Sequence, residues 1–121
     1  CFRIKCGGFI PMIAHPERCR LFAANHKHKP SFFSFGAKRK ISEATAKKIE
    51  LINYLKNIGC AFQGNLGSFY AIYGPDVQRT ANYLKDHKIY THYGTDAHSL
   101  KSINLIAKRA KDEKRKLKIE A

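Results

Sequence analysis

The sequence is poor in acidic residues and has no long hydrophobic run. Only 9 Asp and Glu residues stand against 23 Lys and Arg in 121 residues, which gives a formal net charge of +14. This excess suits anionic partners such as nucleic acid, an acidic membrane face or a phosphorylated substrate. No apolar stretch approaches the ~20 residues that a transmembrane helix needs, so the sequence predicts no membrane span.

Several reactive motifs are missing as well. No two of the four cysteines are spaced as Cys-x-x-Cys, so neither a structural zinc site nor a thioredoxin-type redox site is predicted. We expect reduced thiols and a cytoplasmic protein. The sequence also lacks a P-loop, a Gly-x-Ser-x-Gly nucleophile elbow and a cysteine followed six positions later by arginine. Phosphate chemistry would therefore have to use metal-activated water.

Short apolar runs alternate with longer helical patterns along the chain. The apolar runs predict strands at 8–14, 60–65 and 88–94. The helical patterns predict one helix from an N-cap at Ser42 to Gly59, a second at 74–87, and a basic third helix at about 100–119. A basic stretch at about 21–40 predicts an insertion. This order predicts an α/β fold with parallel strands and outer helices.

The first of these helices carries a regular apolar pattern. Its apolar residues recur every three positions, which predicts one buried face made of Ile49, Ile52, Leu55 and Ile58.

Polar residues follow all three predicted strands. His15 ends the first, Gln63 and Asn65 end the second, and Asp96 and His98 follow the third. In parallel α/β folds functional groups gather at the carboxyl ends of strands. We therefore expect these residues to meet at one edge, with Gln63 and Asn65 lining a pocket.

The sequences HPER and DAH contain residues suited to binding a metal ion and a phosphate at this edge. The carboxylate of Asp96 and the imidazoles of His15 and His98 suit Mn, Fe or Zn, and Arg18 offers a planar fork for phosphate. Each motif alone has a structural alternative. Glu17 and Arg18 would pair at the surface beside a buried His15, and Asp96 would cap the following helix with His98 exposed.

Three segments together resemble a known superfamily. In order, GFIPMIAHPERCR, LKNIGCAFQGNLGSFYAIYG and THYGTDAHS are similar to the carboxyl-terminal half of PHP (polymerase and histidinol phosphatase) proteins, over about residues 8 to 100. Within that superfamily they most resemble the bacterial manganese-dependent protein-tyrosine phosphatases of capsule and exopolysaccharide operons. The resemblance implies a distorted (β/α) barrel with metal ions at the carboxyl ends of its strands.

The resemblance also implies roles for particular residues. His15, Asp96 and His98 would be metal ligands, and Arg18 would bind the substrate phosphate. The implied cofactor is Mn²⁺, with Fe, Zn or Mg as alternatives. The implied partner is a phosphotyrosine-bearing protein, a bacterial tyrosine kinase, and nucleic acid is not expected.

The family pattern has further ligands that this chain does not show. An H-x-H pair, an aspartate and two glutamates precede HPER in the family, whereas this chain begins with Cys shortly before HPER. We therefore expect residues 1–121 to form a partial domain, incomplete for catalysis, whose partner is the amino-terminal half of the barrel. The open strand edges of such a half predict self-association.

Two other functions stay open at this point. One is hydrolysis of a small phosphate ester such as histidinol phosphate, or of a phosphodiester. The other is a non-catalytic basic module that binds nucleic acid through the flanking basic segments.

Overall fold

The structure is a computed structural model that describes residues 1–23 and 43–120, with side chains described for 1–23 and 47–114. The predicted N-cap at Ser42 and most of the predicted insertion at 21–40 lie outside these residues. The helices and strands, in chain order, are α1 (Phe2–Cys6), β1 (Met12–Ala14), a short 3-10 helix (Pro16–Arg18), α2 (Glu43–Asn57), β2 (Ala61–Asn65), α3 (Leu66–Phe69), α4 (Pro75–Asp86), β3 (His92–Gly94) and α5 (Leu100–Glu120).

The three strands form a parallel sheet in the order β1-β2-β3. In the register, Ala14 lies opposite Gln63 on one side of β2, and Asn65 lies opposite Gly94 on the other. The carboxyl ends of all three strands therefore lie at one edge of the sheet. This arrangement confirms the predicted α/β class with parallel strands and surrounding helices.

The two outer strands are shorter than the sequence predicted. Each has three residues, since β1 begins at Met12 and β3 begins at His92. In the described part of the chain each pairs with β2 alone, so fewer backbone hydrogen bonds hold it in the ladder. Just before β3, the Thr91 hydroxyl accepts the Phe62 N–H at 2.8 Å, so a side chain takes the place of a backbone acceptor there.

The hydrophobic core lies between the sheet and its helices. Phe62 of β2 and Leu84 of α4 are completely buried, and the Phe22 ring meets Phe62 edge-on at 6.5 Å between centroids. On α2, Ile52 and Leu55 are buried as predicted.

The two end residues of the predicted apolar face of α2 are less buried than the residues at its centre. Ile49 is 38% exposed and Ile58 is half-buried. A spacing of three residues turns by about 60° per step around a helix of about 3.6 residues per turn. Ile49 therefore rotates away from a face centred on Ile52 and Leu55. Ile58, by contrast, follows the last helical residue, Asn57, and still packs against the core cluster.

Local end signals explain the two carboxyl-terminal helices. Pro75 occupies the first turn of α4, where a missing N–H costs no hydrogen bond. At the start of α5, the Ser99 hydroxyl accepts the Ser102 N–H at 3.3 Å, which is the contact of an N-cap. Neither helix, nor any other in the described ranges, combines the length and apolar character of a membrane-spanning segment.

The surface beside β1 exposes large apolar side chains. Phe9 and Ile10 are each about 70% exposed, and Met12 and Leu21 are more than half exposed. An apolar surface next to a strand edge is a site where another chain or segment packs. Self-association through this surface stays a prediction.

Candidate functional site

The HPER sequence forms a tight turn at the carboxyl end of β1. The His15 N–H donates to the Gln63 carbonyl at 2.7 Å, which extends the pairing with β2. The chain then enters the 3-10 helix, and the Arg18 N–H donates to the His15 carbonyl at 3.0 Å. This turn directs both the imidazole and the guanidinium to the carboxyl edge of the sheet.

Asp96 reaches the same place from the end of β3. Its Oδ2 lies 3.9 Å from His15 Nε2 and 3.6 Å from Arg18 Nη1, and all three side chains are between a third and two fifths exposed. His15, Arg18 and Asp96 therefore lie together at this edge, and their roles as metal ligands and phosphate-binding group stay predictions. Strands β1 and β3 flank β2, so their ends can meet across the end of the central strand.

Two of these residues have unusual backbone conformations. His15 has φ of 37° and Asp96 has φ of 50°, in the left-handed region that residues other than glycine rarely adopt. Such strain collects at functional sites, where it aims a side chain. Ala71 and Lys88 also have positive φ, so the signal depends on its coincidence with reactive groups.

Glu17 has a role that the sequence did not indicate. It is 3% exposed, and its Oε1 accepts the Asn65 N–H at 2.9 Å while Oε2 accepts the Tyr90 hydroxyl at 2.8 Å. The proposed surface pair of Glu17 with Arg18 is therefore wrong. The buried carboxylate instead ties the HPER turn to β2 and to the segment before β3.

Tyr90 completes this buried connection. Desolvation, followed by the neighbouring Glu17 carboxylate, raises the pKa of Tyr90 far above its ordinary value. A tyrosine hydroxyl is protonated at neutral pH even without this shift, so Tyr90 donates the hydrogen bond to Glu17. The Tyr90 ring packs against Gly64, where a Cβ would lie 3.0 Å from ring atoms, so a side chain at this strand position would displace it.

Asn65 and Gln63 lie where the strand-end argument placed them. Asn65 is buried, and its Oδ1 accepts the Gly67 N–H at 2.8 Å, which caps α3. Its Nδ2 donates to the Tyr73 hydroxyl at 3.5 Å. Gln63 is half-buried beside Gly94. Their contribution to a substrate pocket stays a prediction.

His98 lies close to Asp96 but turns to the backbone. Its Nδ1 is 2.8 Å from the Asp96 carbonyl oxygen, and the side chain is exposed. The alternative in which Asp96 caps the following helix is wrong, because Ser99 does so. The role of His98 as a metal ligand stays a prediction.

The donors in the described residues do not by themselves fit a metal ion. No group of three or more His, Cys, Asp or Glu side chains within residues 1–23 and 47–114 is arranged to hold one. The His15 and Asp96 pair supplies two donors, and the Arg18 cation lies closer to Asp96 than His15 does. A divalent ion at this edge would need donors in addition to His15 and Asp96, from outside the described residues.

These elements define the class of the fold. A parallel sheet with helices around it and polar residues at the strand ends is an α/β architecture, as the sequence predicted, and its place in a PHP-type (β/α) barrel stays a prediction.

The structure is similar to a chain from the crystal structures of YwqE from Bacillus subtilis and CpsB from Streptococcus pneumoniae, which are described as unique metal-dependent tyrosine phosphatases. Sequence identity is 24% and the TM-score is 0.56, over 84% of this chain and 32% of the other. This chain therefore spans about a third of the length of that structure, and the similarity establishes a shared fold. No protein-family model and no curated protein matches the chain.

Proposed function

We propose that this chain contributes the phosphate-binding arginine and part of the metal donor set of a metal-dependent protein-tyrosine phosphatase. The observation that carries the proposal is that His15 and Arg18 each lie within 4 Å of Asp96 at the carboxyl ends of parallel strands. The fold shared with metal-dependent tyrosine phosphatases supports it. The proposed substrate is a tyrosine kinase of capsular or exopolysaccharide biosynthesis, the proposed metal is manganese, and the proposed location is the cytoplasm.

The three side chains have distinct chemical capacities. The Arg18 guanidinium stays charged at any working pH and offers paired N–H donors to two phosphate oxygens. His15 and Asp96 supply a nitrogen and a carboxylate oxygen, a mixed donor pair of the kind that manganese, iron and zinc accept. In this proposal the remaining donors come from the part of the barrel outside this chain.

The direct test is hydrolysis of a phosphotyrosyl peptide by the polypeptide that joins this chain to the rest of the barrel. We expect phosphate release that depends on added Mn²⁺ and disappears with a chelator. Histidinol phosphate and a phosphodiester are assayed in parallel, and faster hydrolysis of either would replace the tyrosine phosphatase assignment. No metal-dependent release from any of the three would refute a phosphatase function.

The basic face of α5 supports a second candidate function, the binding of nucleic acid. Lys101, Lys108 and Lys111 are exposed, and their spacings of seven and three residues place them along one side of the helix. Residues 115 and 118 continue this spacing in the sequence with Arg and Lys. A row of cations along one helix face complements the phosphates of a nucleic acid strand.

This second function predicts duplex binding whose affinity falls steeply as salt rises. Replacing Lys101, Lys108 and Lys111 with glutamine should then reduce the salt slope by about 1 for each lost phosphate contact. Glutamine at Lys5, Lys56 and Lys88, which are exposed elsewhere, removes the same net charge and is the control. Fluorescence anisotropy of a labelled duplex measures the affinity and its salt dependence for both triple variants. Equal effects of the two triple variants, or binding that salt leaves unchanged, would remove this candidate.

A further inference from the structure

Tyr73 lies directly against the proposed phosphate-binding arginine. The Arg18 guanidinium carbon is 4.5 Å from the centre of the Tyr73 ring, within the range of a cation–π contact. Tyr73 belongs to the segment between α3 and α4, and its side chain is 38% exposed. Tyr73 lies in the second segment of the family resemblance, which ends in Tyr73 and Gly74, but the resemblance assigns it no role.

A closed set of contacts fixes the ring relative to Arg18. The Tyr73 hydroxyl accepts a hydrogen bond from the Asn65 side chain, and the Asn65 backbone N–H donates to Glu17, the neighbour of Arg18 in the HPER turn. The ring also packs on Gly67, where a Cβ would lie 3.1 Å from ring atom Cε2. The Tyr73 ring and Arg18 are therefore both connected to the HPER turn.

The nature of this contact leaves Arg18 free to bind an anion. A guanidinium that stacks on an aromatic ring by its flat face keeps its N–H donors pointing outward in the plane, and the 4.5 Å distance allows this arrangement. The Asp96 carboxylate is 3.6 Å from Nη1, longer than a strong charge-assisted hydrogen bond. Without the ring, Arg18 could close onto Asp96, and the two groups would then neutralise each other.

We propose that Tyr73 is a positioning residue that holds Arg18 by its face, so that the N–H fork stays open to a phosphate and does not collapse onto Asp96. This inference rests on the proposed function of Arg18 in phosphate binding. It assigns Tyr73 no contact with the reacting atoms. It predicts that the ring matters and that the hydroxyl, whose hydrogen bond from Asn65 is long at 3.5 Å, contributes little.

Two variants of the 121-residue chain separate ring from hydroxyl. Tyr73→Phe keeps the ring, and Tyr73→Leu removes it. By NMR, protons on the Arg18 side chain should be shifted upfield by the ring in the wild type and in Tyr73→Phe, and the shift should vanish in Tyr73→Leu. Titration with inorganic phosphate at low salt should show affinity about two- to five-fold weaker in Tyr73→Leu, the range expected for an exposed cation–π contact, and unchanged in Tyr73→Phe.

The outcomes distinguish this inference from the proposed function. If the wild type binds phosphate and Arg18→Ala binds it equally well, the proposed role of Arg18 in phosphate binding fails. If Arg18→Ala loses binding but Tyr73→Leu does not, the Tyr73 inference fails alone. The Tyr73 inference would also be overturned if the NMR chemical shifts of the Arg18 side chain were the same in the wild type and in Tyr73→Leu, whatever the phosphate affinities are. Circular dichroism of Tyr73→Leu checks that the fold is retained.

Discussion

Arg18→Ala is expected to lower kcat/KM for a phosphotyrosyl peptide by about 10²–10³-fold, the loss typical of removing one preorganised donor from a developing anionic centre. Arg18 lies on the 3-10 helix that follows β1. Its guanidinium faces Asp96, which follows β3 on the other side of β2. Alanine removes both the charge and the paired donors, and no backbone hydrogen bond of the turn depends on the side chain. The measurement is initial-rate kinetics with added Mn²⁺ on the complete phosphatase that the proposed function assigns to this chain.

Two further variants show whether charge or geometry is responsible. Arg18→Lys keeps the charge but loses the planar fork, so its rate should fall between those of alanine and the wild type. Arg20→Ala removes the same charge from an exposed position two residues away and should leave the rate within about twofold, because exposed residues outside a site rarely matter. A large loss in Arg20→Ala, or full activity in Arg18→Ala, would contradict the assigned role.

The position of this site could be predicted from the sequence because it depends on strand order and strand ends. Helices between apolar runs predict parallel strands, and parallel strands bring their carboxyl ends to one edge. His15 and Asp96 come from the two outer strands, yet they lie within 3.9 Å because each strand ends beside the end of β2. Pattern alone therefore placed the reactive residues, although it did not give their orientation.

The supporting contacts could not be predicted in the same way. Glu17 bonds to residues 65 and 90, and Tyr73 stacks on residue 18, so the partners lie far apart in sequence. Adjacent opposite charges at Glu17 and Arg18 suggested a local surface pair, but tertiary contacts outweighed that local option. The metal donor set is the other part that the sequence left open, since the described residues supply two converging donors.

Glu17→Ala is expected to destabilise the fold by about 2–4 kcal/mol, a large share of the 5–15 kcal/mol typical of a domain. The carboxylate is buried and accepts hydrogen bonds from the Asn65 N–H and the Tyr90 hydroxyl. Alanine leaves both donors without that acceptor and leaves a cavity beneath the HPER turn. Removing a buried charge recovers part of this cost, because a buried carboxylate is itself poorly solvated. Urea unfolding at pH 7 measures the difference.

The order of three companion variants shows which effect dominates. Glu17→Gln keeps an oxygen for the Asn65 N–H and the volume of the side chain, so it should cost less than alanine. Tyr90→Phe removes one of the two hydrogen bonds and should cost about 1–2 kcal/mol. Glu50→Ala, at an exposed position on α2, should change stability by no more than about 0.5 kcal/mol. If Glu17→Ala were as stable as Glu50→Ala, the two hydrogen bonds would contribute no more than the burial of the charge costs. Glu17 would then orient the turn without stabilising the fold.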